Sequence, residues 1–107
     1  MEDLISIISK ALNVELNDVI NKTRCKQRKC GKIHARHIAV KILKDTTPLT
    51  YSNIALLFNR KLSNGKGDHS FSIYAEYTAN QLLKNKDKDF TTKYNLVLNE
   101  IEKNGKA

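Results

Sequence analysis

Breakers, staples and bulky plugs are scarce in this chain: one proline, four glycines, two cysteines and no tryptophan in 107 residues. So few punctuating residues exclude a loop-dominated or collagen-like chain, and two thiols are too few to frame a disulfide-stapled scaffold. No apolar run is long enough to cross a bilayer and no basic-then-apolar leader opens the chain, so it reads as cytosolic, with no membrane role. Strand-type alternation and internal repeats are missing as well. These absences leave an all-α reading: one domain over residues 1–107, with one modest core and no room for a catalytic domain beside a recognition domain.

Acidic residues are the other shortage, 11 against 19 Lys and Arg, which gives a net charge of +8. The excess is concentrated. Residues 22–44 hold nine basic side chains and no acidic one, whereas residues 1–21 carry Glu2, Asp3, Glu15 and Asp18 against Lys10 alone. A field polarised in this way favours a polyanion, most simply nucleic acid.

What is present is helical periodicity. Leu4, Ile8, Ala11 and Leu12 share a face of a helix over 2–12, with Ile5 and Ile7 beside it, and Val14, Leu16, Val19 and Ile20 suit a short second helix folded back on the first. Residues 22–33 have no apolar period and read as a basic loop whose Arg24, Lys26, Arg28, Lys29 and Lys32 can lie along phosphates or enter a minor groove. The next helix, 34–44, is expected to bury Ala35, Ile38, Ala39, Ile42 and Leu43 and to show Arg36, His37 and Lys41 outward, where Arg36 and Lys41 can anchor a DNA backbone. A cation in the first helical turn opposes the dipole, so Arg36 points to an anionic partner. Pro48 ends that helix, Thr50 caps another running to 59, and a polar turn leads to a further helix over 67–83. Asp68 caps this one, leaving His69, Ser70 and Phe71 at an exposed helix start, with Tyr74 facing outward and Ile73, Ala75, Ala79, Leu82 and Leu83 buried. Asp89 is expected to cap a last helix, 89–103, whose Phe90, Tyr94, Val97, Leu98 and Ile101 close the core. The sum is a small domain of about five to six helices in which residues 50–83 form a helix-turn-helix, and that motif reads the major groove with the start of its second helix.

Other chemistries fit poorly. Cys25 and Cys30 followed by His34 and His37 lack the finger-type gap between ligand pairs, so no metal is expected. Asp68, His69 and Ser70 are consecutive and splay around a helix, so they cannot form a proton relay, and neither an enzymatic activity nor a cofactor is expected. A second class of reading is a protein-interaction module binding a replication initiator or transcription regulator, with Phe71 as an exposed anchor.

Over residues 5–101 the chain resembles the C-terminal DNA-binding domain, domain IV, of the bacterial replication initiator DnaA, which has a Trp-repressor-like helix-turn-helix. ARHIAVKIL (35–43) after the basic segment looks like the family's basic loop and following helix, SNIALLF (52–58) like the first helix of its helix-turn-helix, and GDHSFS (67–72) like its Asp-His-Thr-Thr signature. The resemblance implies binding of double-stranded DNA at DnaA-box-like sites by a cytoplasmic, nucleoid-associated factor. An arginine of the loop, Arg24 or Arg28, would enter the minor groove. Asp68, His69 and Ser70 would stand at the major groove, and Arg36 would match a family arginine at a helix start. The chain departs from the signature at Phe71 and Ser72, lacks the threonine methyl at Ser70, and has a longer turn. It also has no phosphate-binding G-x-x-x-x-G-K-[ST] loop, so no ATPase is implied.

Overall fold

The computed structural model describes residues 2–20 and 31–105 of the protein. Six α-helices run through them: α1 (Glu2–Leu12), α2 (Leu16–Ile20), α3 (Gly31–Thr46), α4 (Tyr51–Leu57), α5 (His69–Lys84) and α6 (Lys88–Gly105). The only strand-like feature among the described residues is one antiparallel bridge, Lys61 to Gly67. No helix among them is long and apolar enough to cross a membrane.

α3 packs against each of the other five helices, and this explains its composition. A helix surrounded on several sides cannot keep one polar face. Ala35, Ile38, Ala39, Ile42 and Leu43 are buried as the periodicity predicts, but so are Val40, His34 and Arg36. α1 and α6 pack together beside α3, with Ile5, Ile8, Phe90 and Val97 in the shared core. The last helix thus helps close the core, as its periodicity predicts, by packing on α1.

Helix ends follow local chemistry, with one correction. Asn13, Asn59 and Lys86 adopt positive φ after α1, α4 and α5. In each case the next N–H reaches back five residues, as in Val14 to the Ser9 carbonyl at 2.9 Å and Asp87 to the Leu82 carbonyl at 3.0 Å, satisfying carbonyls that the helix leaves open. Thr50 caps α4, its hydroxyl accepting from the Asn53 N–H at 3.2 Å. The cap of α6 is Asp87 rather than Asp89: Asp87 Oδ1 accepts from the Phe90 N–H at 2.9 Å. Asp89 lies inside the helix, where its carboxylate meets Lys93 Nζ at 3.0 Å, one turn on. Leu98, expected in the core, is exposed.

The turn between α4 and α5 is ordered. The Arg60 carbonyl accepts from the Asp68 N–H at 2.8 Å and the Lys66 carbonyl from the Leu62 N–H at 2.7 Å, so the segment closes as a small hairpin. Gly67, in its closing strand, is buried against α4.

Candidate nucleic-acid interface

α5 begins as its sequence predicts. Asp68 Oδ1 accepts from the Ser70 N–H at 3.1 Å, and His69 and Ser70 stand exposed at the helix start. Three contacts fix that start relative to α4. Ser72 Oγ donates to the Tyr51 carbonyl at 2.8 Å, Tyr51 Oη donates to Glu76 Oε1 at 2.7 Å, and the Phe71 ring lies 5.6 Å from that of Phe58. The hydrogen bond to Glu76, with some burial, pushes the Tyr51 phenol above its ordinary pKa.

Phe71 is therefore half-buried rather than free. It packs on the core against Phe58, and the Arg60 guanidinium sits 4.8 Å over its ring. Arg60 Nε is itself buried without a hydrogen-bond partner, and the guanidinium faces the ring instead. The longer turn thus supplies a cation that covers the aromatic ring.

Arg36 requires the clearest correction. Expected to face outward, it is only 7% exposed. Its Nε donates to the Val19 carbonyl at 3.1 Å and its Nη2 to the Asp18 carbonyl at 2.9 Å. Both carbonyls lie near the C-terminal end of α2, which has no basic residue of its own in its last turn. Because α3 starts at Gly31, Arg36 is already past the first turn, and its charge serves the open carbonyls of α2. Burial first, then Arg60, lower its pKa, with Asp18 opposing. Arg36→Ala is expected to cost about 2–3 kcal/mol, since one buried and one part-buried charge-assisted hydrogen bond disappear and two carbonyls lose their partner. Urea denaturation measures this, and a loss below ~0.5 kcal/mol would refute the structural role.

Lys41 is largely covered and its ammonium meets Asp45 at 3.1 Å, so it is not a free cation. Lys32 falls in the first turn of α3, while Arg24, Lys26, Arg28 and Lys29 lie outside the described residues, as do Cys25 and Cys30. His34 and His37 diverge: His34 Nδ1 meets Lys93 Nζ at 3.2 Å and its ring stands edge-on to Phe90, whereas His37 stands edge-on to Tyr74 with centroids 6.1 Å apart. No group of three or more His, Cys, Asp or Glu suited to a metal occurs among the described residues.

A cleft of about 640 Å3 runs between α3 and α5. Ile33, next to Lys32, and Tyr74, on the outer face of α5, both line it. Ile33 and Tyr74 thus face one cleft, which sequence spacing alone does not reveal.

One residue of α5 departs from the expected pattern, and one follows it. Ile73, expected inside, is 45% exposed, and Tyr77 is 61% exposed beside Tyr74 at 65%. The buried line of the helix is Ser72, Ala75 and Ala79. Two helices that pack closely need small residues along their contact line, so the large apolar Ile73 is displaced to the other side. Tyr77, two residues from each buried alanine, lies off the packed flank as its helical position predicts.

No family model matches the chain. Two curated relatives do. The chromosomal replication initiator protein DnaA of Buchnera aphidicola is 32% identical over 80 residues, covering 75% of this chain and 16% of that protein. The chromosomal replication initiator protein DnaA of Nautilia profundicola is 29% identical over 102 residues, covering 95% of this chain and 21% of that protein. The chain thus spans about a fifth or less of the length of the relatives it matches. It is similar to DnaA over nearly all of its own length, consistent with likeness to the C-terminal domain of that initiator.

Proposed function

From this likeness to DnaA, we propose that the chain is a sequence-specific binder of double-stranded DNA, acting at a replication origin or as a regulator, and that it performs no catalysis. The observation that supports the reading is the cleft lined by both Ile33, which follows Lys32, and Tyr74 of α5. A protein placed on duplex DNA in this way has cations over the backbone or minor groove and a helix start at base edges in the major groove.

In this arrangement Arg24, Lys26, Arg28, Lys29 and Lys32 neutralise phosphates, with Arg24 or Arg28 entering the minor groove. His69 and Ser70 inspect bases, and Asp68 holds the helix start that presents them. Arg36 is not one of the DNA anchors, because its guanidinium serves α2. Phe71 does not favour the alternative of a protein-interaction module, since its ring is packed between Phe58 and Arg60. DnaA-box-like sites are the first target to try, as the curated relatives are DnaA proteins.

Fluorescence anisotropy on a DnaA-box duplex and a scrambled duplex, at two salt concentrations, tests the reading. Binding should weaken steeply with salt, and Arg24→Ala or Arg28→Ala should weaken binding to both duplexes and lower the logarithmic salt slope by about 1. His69→Ala should instead cost about 1–3 kcal/mol on the preferred duplex only. Absence of binding to any duplex at low salt would overturn the proposal.

A further inference from the structure

The exposed side of α5 carries two large side chains, Ile73 and Tyr77, that lie outside the buried core. Ile73 and Tyr77 are four residues apart, so they stack one turn above the other as a single ridge. Ala75 and Ala79, two residues to either side of Tyr77, are buried, which places Tyr77 opposite the packed face of the helix. Single exposed apolar residues are ordinary, but a pair stacked along the centre of a presented helix face has a direction and a reach.

The surroundings of the ridge restrict its partner. The only acidic residue of α5 is Glu76, which is half-buried with its Oε1 accepting from Tyr51 Oη. No carboxylate therefore stands among the exposed residues of this helix, on a chain of net charge +8 whose residues 22–44 hold no acidic side chain. A face that is apolar along its centre, free of negative charge and set on a basic molecule complements a surface that is polyanionic at its edges and apolar within. In the major groove the apolar feature is the 5-methyl group of thymine, which side chains read by contact rather than by hydrogen bonding.

We propose that Ile73 and Tyr77 form an apolar ridge that packs on thymine 5-methyl groups and sets part of the sequence preference. The inference rests on the reading of the chain as a duplex binder. Tyr77 lies eight residues beyond His69, about 12 Å along the helix, so the ridge reaches roughly three base-pair steps past those met at the helix start. Ser70 has no methyl to offer thymine, and the ridge places that contact further along α5.

The test removes the methyl from the DNA. The preferred duplex of the unaltered protein is selected from random sequence, and each thymine is then replaced singly by deoxyuridine. Affinity should fall by about 4-fold at one or two positions, the worth of one buried methyl-sized group. The Ile73→Ala/Tyr77→Ala double variant should show less than about 2-fold sensitivity at those same positions, and Tyr77→Phe, which keeps the ring, should stay sensitive there. Both side chains are exposed, so an unchanged circular dichroism spectrum and melting temperature would verify that the variants fold. Equal sensitivity in the double variant and the unaltered protein would overturn the ridge, as would a selected duplex insensitive to every such replacement. Failure of the unaltered protein to prefer any duplex would overturn the DNA-binding reading itself, an outcome visible before any base is modified.

Discussion

Gly67→Ala is expected to destabilise the protein by about 3 kcal/mol or more, lowering the melting temperature by roughly 10–20 °C for a domain of this size. A Cβ on Gly67 would fall 1.8 Å from the Ser52 carbonyl oxygen and 2.7 Å from its carbon, with Leu56 Cγ at 3.1 Å. The obstacle is backbone of α4, not the end of a flexible side chain, so relief requires α4 and the hairpin to move apart. That movement would also strain the Ser72 and Tyr51 hydrogen bonds holding the start of α5. Gly65→Ala is the natural control. There φ is +87°, but the nearest atom to a Cβ is Lys61 Cε at an ordinary 3.8 Å, so only the backbone conformation is penalised, by about 1 kcal/mol. Thermal unfolding followed by circular dichroism compares the two. Equal losses would show that α4 and the hairpin are not in the close contact described.

Acidification should weaken the fold between about pH 6.5 and pH 4 through one imidazole. His37 is held down to about 4, first by burial and then by the charges of His34 and Arg36. Its Nδ1 is buried without a hydrogen-bond partner. A histidine lowered in the native state remains neutral there while the unfolded chain takes up a proton near its ordinary pKa of about 6.5. Stability from this group is therefore complete above about pH 6.5 and is lost as the pH falls toward the native value, by at most about 3 kcal/mol. Denaturant midpoints at intervals from pH 7 to pH 4.5 read the loss. His37→Gln, which cannot titrate, should flatten the upper part of that range, above the region where carboxylates begin to contribute. Parallel curves for variant and unaltered protein between pH 6.5 and pH 5.5 would refute the assignment.

Much of the architecture was legible because local chemistry and tertiary packing agree. Thr50 and Asp68 announce helix starts through hydroxyl and carboxylate acceptors two or three residues before the N–H groups they satisfy, and both caps are present. The stripe of α6 finds its partner in α1. The misplacements occur where a third element intervenes. Periodicity put Arg36 on a polar face, but α2 lies against that face and its terminal carbonyls receive the guanidinium. Helical spacing put Ile73 on the buried flank, but the packed line of α5 takes Ser72, Ala75 and Ala79. Asp87 and Asp89 offer the same carboxylate two residues apart, and nothing in the local pattern chooses between them as cap. The candidate interface was legible in its parts, the basic segment and the Asp68 helix start. The cleft that Ile33 and Tyr74 both line was not, because it depends on how α3 lies against α5.

The hairpin between α4 and α5 separates two properties that usually vary together in a helix pair, the length of the connection and the angle it imposes. Residues 61–66 are all exposed, whereas the relation of the helices is held outside them, by Gly67 against Ser52 and by Tyr51 against Ser72 and Glu76. Lengthening a flexible loop adds little closure entropy, about 0.6 kcal/mol per doubling. The exposed tip of the segment is thus expected to tolerate change better than the residues that hold the helices. Residues can be gained, lost or exchanged there, Lys61 and Lys66 included, and the charge near the helix start can drift without re-aiming the helix.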